Sequence, residues 1–261
     1  MISLNKIEFS YFNHSGTKPF LFGPLDLTIK KGELVSVLGP NGSGKSTLLK
    51  IIGGILKPVK GNITLFEKGY DNYSQKELAK NIAFVPQNAV SVYPFTVYEI
   101  VMMGRTPYLN YMGYENNQDC EIVEEVLNSV DMLGLKDKPI TQISGGEVQR
   151  AFIARALAQQ AELVLLDEPN AHLDIKHQID LFRLVLELNK SKGITFISVS
   201  HDLNLSAHYF NRSILLNSGK VLYDGATAEV LNKENIKSVF EVDSRITIDN
   251  GSNKINISFL D

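Results

Sequence analysis

A glycine-rich stretch, GPNGSGKST at Gly39–Thr47, contains residues whose types and spacing suit phosphate chemistry. It fits the pattern G-x-x-x-x-G-K-[ST], directly after a strand-like apolar run and directly before a helical pattern. In such a loop the glycines let backbone N–H groups converge on phosphate, Lys45 neutralises the β- and γ-phosphate oxygens, and the Ser46 hydroxyl ligates Mg²⁺. This context argues against the alternative, a glycine turn that only caps a helix. The predicted ATP-binding residues of the loop are Gly39, Pro40, Asn41, Gly42, Ser43, Gly44, Lys45, Ser46 and Thr47.

Two adjacent carboxylates, Asp167 and Glu168, end the apolar run LVLLDEP. Strands that end at the carboxyl edge of a parallel sheet deliver side chains to the crevice where ligands bind. Because side chains alternate along a strand, we expect Asp167 to reach Mg²⁺ and Glu168 to act as the base toward the attacking water. Two acids at a strand end are more often a solvated turn, but their pairing with a phosphate loop favours catalysis.

Three further side chains lie at predicted strand ends. His201 ends GITFISVS and Gln87 ends NIAFVPQ, so we expect both at the same sheet edge as the phosphate loop, where a neutral His can hydrogen-bond a γ-phosphate. The alternative for each is a structural role. Tyr11 closes the first strand and is a candidate to stack on adenine, unless Tyr11 or Phe12 merely packs the edge sheet.

A second glycine loop lies in QISGGEVQR, where Ser144, Gly145 and Gly146 immediately precede a helix. A hydroxyl and free amide N–H groups at a positive helix end form an anion site. This loop lacks its own lysine and lies inside a helical stretch far from the first loop. It therefore suits the nucleotide of a second copy arranged head to tail.

The elements that must position these residues alternate between strand and helix. Strand patterns cover residues 2–11, 24–30, 33–39, 161–168 and 193–200, and a hairpin is expected around Ser218 and Gly219. Helical patterns cover 45–56, 97–104, 118–133, 147–158, 174–192 and 202–210. They predict an α/β fold: a P-loop NTPase (RecA-like) core with a mainly parallel central sheet, an antiparallel edge β-subdomain and an inserted α-helical subdomain. Within this single domain we expect the ATP-binding core at 1–87 and 161–240, the helical subdomain at 88–160, and a C-terminal extension at 241–261 that carries no motif.

The composition excludes several classes of protein. Lys and Arg number 26 against 29 Asp and Glu, for a net charge of -3, so nucleic acid is not an expected partner. The single Cys, Cys120, cannot form an internal disulfide and fits a reducing compartment. The N-terminus alternates like a strand rather than a signal peptide, and no run approaches the roughly 20 apolar residues that span a bilayer. We therefore expect a cytosolic chain, with any membrane segment supplied by another protein.

Taken together, these motifs resemble the nucleotide-binding subunits of ABC transporters over nearly the whole chain. The matches are Walker A (Gly39–Thr47), Q-loop (Gln87), signature loop (Ile143–Glu147), Walker B (Leu163–Pro169), D-loop (Ala171–Asp174) and switch histidine (His201). The resemblance implies a head-to-tail dimer that closes on two ATP molecules. It also implies that Ser144, Gly145, Gly146, Glu147 and Asp174 contact the partner's ATP, that Ser46, Gln87 and Asp167 surround Mg²⁺, and that Lys45, Glu168 and His201 are catalytic.

Two stretches outside the ATPase motifs, Phe95–Leu109 and Asp167–Gln178, are similar to the ATPase subunits of importers for iron chelates, haem and cobalamin. This likeness implies an integral membrane permease dimer, an indirect extracytoplasmic substrate-binding protein, and a peripheral position on the cytoplasmic face of the cell (inner) membrane. The segment after Gln87 would form part of the groove for a permease coupling helix. Two alternatives stay open, an exporter subunit and a soluble ABC ATPase of repair, cofactor assembly or ribosomes. The cargo is also open, since iron chelate, haem, cobalamin and molybdate all fit.

Two residues depart from the family pattern. Glu147 stands where Gln is usual, and a carboxylate facing a γ-phosphate would repel it. We therefore expect Ser144 and the backbone N–H groups to make that contact, with Glu147 turned aside. Asn170 replaces the usual Thr or Ser after the Walker B proline, so we expect any difference from the family at this motif to lie in the local turn geometry.

Overall fold

The structure, a computed structural model, describes residues 1–11, 21–87, 93–109, 113–171, 173–248 and 254–260. It divides into two compact units, which we call the first unit (Met1–Tyr73 with Thr195–Asp261) and the second unit (Ser74–Ile194). The strands are β1 (Ile2–Ser10), β2 (Leu21–Ile29), β3 (Leu34–Leu38), β4 (Lys60–Leu65), β5 (Lys68–Gly69), β6 (Ile82–Val85), β7 (Leu163–Asp167), β8 (Thr195–Val199), β9 (Arg212–Asn217), β10 (Lys220–Ala226), β11 (Ser244–Ile248) and β12 (Ile255–Phe259). The helices are α1 (Lys45–Ile52), α2 (Gln75–Asn81), α3 (Val97–Met102), α4 (Asn117–Ser129), α5 (Gly145–Ala158), α6 (Ile175–Lys192), α7 (Leu203–Tyr209), α8 (Thr227–Val230) and α9 (Lys233–Phe240).

The first unit contains a mainly parallel sheet with β3 at its centre. β3 pairs in parallel with β8 on one side and with β9 on the other, and β10 returns antiparallel to β9. Every residue of β3 and β8 is buried, as expected for parallel strands covered on both faces. A separate antiparallel sheet runs in the order β2-β1-β4-β5. The predicted α/β class, with a parallel central sheet and an antiparallel edge sheet, is confirmed.

Three buried hydroxyls cross the core of the first unit. Ser36 Oγ lies 2.8 Å from Ser213 Oγ, which lies 2.9 Å from Thr227 Oγ1. They connect β3 to β9 and β9 to α8, and all three residues are buried. Because buried polar groups cost free energy unless they are paired, this chain of hydroxyls fixes the alignment of the three elements.

The C-terminal residues form an antiparallel hairpin, β11 with β12. Ile255 and Ile257 of β12 are buried in an apolar cluster with Leu203 of α7. The Asn204 side chain bonds both backbone polar groups of Ile257. Its Nδ2 donates to the Ile257 carbonyl (3.0 Å), and its Oδ1 accepts from the Ile257 N–H (2.7 Å). The motif-free extension is therefore part of the first unit's core.

The second unit contains the parallel pair β6 and β7 and the helices α2 to α6. Four of its helices begin with a capping box, in which the N-cap side chain and the third helical residue bond each other's backbone N–H: Ser74–Glu77, Thr96–Glu99, Asn116–Asp119 and Ser144–Glu147.

A buried ion pair ties the second unit together. Arg105 Nε donates to Asp119 Oδ1 at 2.9 Å, and its Nη1 donates to the carbonyl of Ala158 at 2.7 Å. The guanidinium also lies 3.9 Å from the ring centroid of Tyr108. This side chain therefore anchors the turn after α3 to the start of α4 and the end of α5.

Two helices end earlier than the apolar pattern predicts. The helix expected over 45–56 ends at Ile52, because Gly53 closes it and Gly54 takes a left-handed φ of 69°. The helix expected over 118–133 ends at Ser129, because Asp131 turns the chain with φ 57°. Val130 and Met132 remain buried beyond the end of that helix, which is why the apolar pattern continued past it.

Candidate nucleotide site

The phosphate loop connects β3 to α1 in the first unit. Gly44, with φ 102°, is the N-cap of α1, so Lys45 and Ser46 lie on the first helical turn. The loop is braced by the β9–β10 hairpin, whose Gly219 N–H donates to the carbonyl of Ser43 at 2.9 Å. Gly39 has φ 155°, and a Cβ there would collide with the carbonyl of Leu216. The sequence did not predict the contact between Gly219 and Ser43. The only signal for it was the hairpin expected around Ser218 and Gly219.

The side chains of the loop fit a phosphate group. Lys45 is buried, and its Nζ donates to the carbonyls of Gly39 (2.9 Å) and Pro40 (3.0 Å). Ser43 is 2% exposed, and its hydroxyl has no hydrogen-bond partner among the described residues. A buried hydroxyl without a partner is costly unless a ligand supplies one. A phosphate oxygen would satisfy it beside the helix N-terminus.

Tyr11 and His201 lie near the loop within the first unit. The Tyr11 hydroxyl is 3.1 Å from Thr47 Oγ1, and its ring packs edge to face on Phe9 at 4.9 Å. Tyr11 remains 44% exposed, so ring surface is available for stacking, while Phe12 lies outside the described residues. His201 follows β8, whose Val199 pairs with Val37 of β3, so it leaves the sheet at the edge from which the loop begins.

Asp167, Glu168 and Gln87 lie together in the second unit. Asp167 ends β7 and is buried, and Gln87 follows the neighbouring strand β6. Glu168 has a left-handed φ of 49°, so the strand alternation ends one residue earlier than the sequence argument assumes. Gln87 Nε2 donates to Glu168 Oε2 at 2.5 Å, which orients the carboxylate.

The donor chemistry fits magnesium. With Nε2 turned to Glu168, Gln87 has its Oε1 for a cation, and Asp167 adds a carboxylate within the same unit. Mg²⁺ prefers such oxygen ligands and is held in proteins by one or two carboxylates together with substrate phosphates. The described part of the chain has no cluster of three or more His, Cys, Asp or Glu side chains that could hold a metal.

The signature loop starts α5, with Ser144 as its N-cap. Glu147 Oε2 accepts from the Ser144 N–H (2.7 Å) and from the Ser144 hydroxyl (2.8 Å). These bonds lower the pKa of Glu147 below its ordinary value, and the bond from the Ser144 backbone N–H contributes most. The expectation that Glu147 turns aside differs from this arrangement, because the capping box draws the carboxylate back onto Ser144. The Ser144 hydroxyl, which the sequence predicts to contact a phosphate, thus donates to the Glu147 carboxylate in this structure.

Asp174 caps α6 close to the signature loop. Its Oδ1 accepts from the His177 N–H (2.9 Å) and lies 2.8 Å from His177 Nδ1. A Cβ on Gly146 would lie 2.5 Å from Cδ2 of the same His177 ring. His177 was not singled out from the sequence, although the D-x-x-H spacing at a helix start was a readable signal.

The turn that carries Asn170 is held by one backbone hydrogen bond and one side-chain hydrogen bond from α6. Ala171 N–H donates to the Glu168 carbonyl at 3.1 Å, and Gln178 Nε2 donates to the Leu173 carbonyl at 2.8 Å. Residue 172 lies outside the described residues. The Asn170 side chain has no role in these bonds, so its departure from the family pattern leaves this turn intact.

Known proteins share both the sequence and the fold. The family profile described as ABC transporter matches residues 22–171. The iron(3+)-hydroxamate import ATP-binding protein FhuC of Bacillus subtilis is 39% identical over 230 residues, covering 88% of this chain and 86% of that protein. An ABC transporter described as metal-chelate type, solved facing inward, has a TM-score of 0.86 at 30% identity and covers 100% of this chain and 97% of its own. A dimeric ATP-binding cassette in a post-hydrolysis state with ADP and Pi has a TM-score of 0.75 at 31% identity, covering 87% and 99%. The chain therefore belongs to the ABC transporter family, as one of its ATP-binding and ATP-hydrolysing members.

Proposed function

We propose that this chain is the ATPase subunit of an importer and powers uptake of a metal chelate through a separate permease. The observation that carries the proposal is the likeness, over most of the chain, to an iron(3+)-hydroxamate import protein and to a metal-chelate type transporter. The phosphate loop and the paired acids supply the chemistry that such a subunit needs. An iron chelate is the first candidate cargo, ahead of haem, cobalamin and molybdate.

Within the first unit, the proposed task is to hold the nucleotide. The loop Gly39–Thr47 offers backbone N–H groups, Lys45 and the Ser43 hydroxyl to the phosphates, while His201 donates to the γ-phosphate and Tyr11 stacks on the adenine. Mg²⁺, when bound, neutralises charge on the phosphate oxygens, and Ser46, Asp167 and Gln87 would hold it.

Glu168 is the proposed base in the second unit. Its carboxylate accepts a hydrogen bond from Gln87, which fixes one oxygen and leaves the group able to orient the attacking water. A carboxamide at this position could still bond to Gln87 but could not take a proton. Hydrolysis should therefore depend on Glu168, whereas ATP binding should not.

A second copy of the chain is the proposed partner across the nucleotide. The signature loop has the helix N-terminus of an anion site but no lysine, so we assign it to the γ-phosphate held by the other copy. The dimeric cassette with ADP and Pi supports two copies as the working unit. The two copies would close because each ATP contacts both of them. They would reopen after hydrolysis, because ADP lacks the γ-phosphate that bridges them.

The Ser144→Arg variant tests this assignment. A long cation at the loop should block the partner's phosphate and lower hydrolysis by about 100-fold or more, with ATP binding to the single chain unchanged. The matched control is Asn128→Arg, the same charge change on the exposed end of α4. Normal hydrolysis by Ser144→Arg would contradict the head-to-tail assignment.

The proposed membrane partners are a permease dimer and, indirectly, a substrate-binding protein. Bound to the permease, the chain would lie peripherally on the cytoplasmic face of the membrane. No helix in the described ranges is long and apolar enough to cross a bilayer. After Gln87 the second unit exposes large apolar side chains, with Tyr93 at 69%, Phe95 at 36% and Met103 at 40%. The rings of Tyr93 and Phe95 lie 6.0 Å apart. They support a docking surface for a permease helix in this segment.

Uptake by cells tests the transport proposal and its cargo together. Cells lacking the protein would be complemented with the wild type or with Lys45→Ala, and supplied with labelled ferric chelate, haem, cobalamin and molybdate. Restoration of one cargo by the wild type alone is expected. Equal entry of every cargo in all strains would refute the importer proposal.

A further inference from the structure

The signature loop and the start of α6 meet at one side chain, His177. A Cβ built on Gly146 would lie 2.5 Å from Cδ2, 2.8 Å from Cγ and 3.2 Å from Nε2 of the imidazole. Side chains do not approach this closely, so only glycine fits opposite the ring. Next to it, a Cβ on Gly145 would make an ordinary contact with Leu173 at 3.9 Å. The imidazole therefore lies directly against the backbone that carries the amides of the anion site.

His177 is itself held in one orientation by Asp174. The carboxylate accepts from the His177 N–H at 2.9 Å and lies 2.8 Å from Nδ1. The hydrogen bond from the His177 backbone N–H is the main cause that lowers the pKa of Asp174. The carboxylate is therefore ionised at neutral pH and acts only as an acceptor. Nδ1 is consequently the protonated nitrogen. An imidazole fixed in this way by a carboxylate has a defined tautomer and ring plane.

We propose that His177 is a positioning residue that sets the distance between Asp174 and the amides of the signature loop. The inference rests on the proposed function, in which the signature loop faces the ATP of the second copy, and on the expectation from the family resemblance that Asp174 contacts the same nucleotide. Two contacts with one nucleotide form together only if their spacing matches it, and a misplacement of about 1 Å can cost about 100-fold in rate. Through its ring on Gly146 and its Nδ1 on Asp174, His177 holds that spacing.

The experiment compares His177→Ala, His177→Gln, Gly146→Ala and the double variant Gly146→Ala with His177→Ala. Lys190→Ala, on the exposed far end of α6, is the matched control. Each protein is measured for ATP binding to the single chain and for kcat and KM of hydrolysis. Each is also measured, in the Glu168→Gln background, for the MgATP concentration that gives half-maximal pairing in sedimentation.

We expect His177→Ala to lower kcat by about 10-fold and to raise the pairing midpoint by a similar factor, with ATP binding and melting temperature unchanged. His177→Gln should recover part of the loss, because its amide can still donate to Asp174. Gly146→Ala should be severe alone but cost less than about 2-fold when the ring is absent.

Three results would overturn the inference. The first is normal hydrolysis and pairing by His177→Ala. The second is an equal cost of Gly146→Ala with and without the ring. The third is a matching loss of ATP binding and melting temperature, which would indicate a general structural role. If Glu168→Gln with His177 intact fails to pair in MgATP, the proposed head-to-tail function falls and the inference falls with it.

Discussion

Replacing Glu147 by Gln should strengthen the ATP-dependent pairing of two copies. In the structure, the Glu147 carboxylate accepts both the N–H and the hydroxyl of Ser144, at 2.7 and 2.8 Å. The same hydroxyl is proposed to donate to the partner's γ-phosphate, and one proton cannot serve two anions. The bonds from Ser144 also lower the pKa of Glu147, so the competing charge is fully present at neutral pH.

The magnitude follows from the distance between the two anions. A phosphate oxygen that takes the Ser144 proton at about 2.7 Å would lie roughly 4 Å from Glu147 Oε2, because that carboxylate oxygen stays bonded to the Ser144 N–H beside the same hydroxyl. Two unit charges at that distance repel by about 1 kcal/mol in water and about 4 kcal/mol at an effective dielectric constant of 20. Glu147 is only half-buried, so we take about 1 to 2 kcal/mol. This corresponds to a pairing midpoint about 5- to 30-fold lower in MgATP.

The assay is sedimentation of Glu168→Gln chains titrated with MgATP, with and without the Glu147→Gln change. Gln keeps an acceptor for the capping box, so the start of α5 is preserved. Glu121→Gln, on the exposed face of α4, is the control for net charge. The gain should shrink as salt rises from about 0.05 to about 0.5 M, because screening weakens the repulsion. An unchanged midpoint at low salt would refute the reasoning.

Three other predictions address the base, the loop and the core. Glu168→Gln should hold an ATP-bound pair, and a monomer in saturating MgATP by sedimentation would contradict its role as base. Gly39→Ala should weaken ATP binding by more than about 10-fold, because its Cβ collides with the Leu216 carbonyl at φ 155°; calorimetry showing wild-type affinity would argue against this account. Arg105→Ala should lower the free energy of unfolding by about 3 to 5 kcal/mol in urea titrations, because it leaves Asp119 buried without its cation. A loss below about 1 kcal/mol would show that Asp119 is relieved in another way.

Local chemistry is what the sequence predicted best. The phosphate loop was found because its residues are contiguous and the φ values of its glycines are a local requirement. Strand ends were placed well because buried parallel strands have an unmistakable apolar pattern. Helix ends were predicted less well, since apolar periodicity ran on through Val130 and Met132 after the backbone had turned at Asp131.

Contacts between residues far apart in the sequence were not predicted. Gly219 supports Ser43 from 176 positions away, and His177 meets Gly146 from the next helix, so both contacts depend on packing rather than spacing. Glu147 shows a different limit. Its charge predicted repulsion of a phosphate, whereas the structure shows its carboxylate in a local capping box, whose bonds form whenever the helix does.

The three buried hydroxyls of Ser36, Ser213 and Thr227 constrain how this sequence can evolve. Loss of the central Ser213 leaves the hydroxyls of Ser36 and Thr227 without the partner they have here, at about 1 to 3 kcal/mol, whereas apolar replacement of all three is close to neutral. An intermediate that lacks only Ser213 is thus less stable than either endpoint, so the positions are epistatic. We expect relatives to carry the trio as a block, either all hydroxyl or all apolar, with mixed sets found only where a compensating change lies nearby.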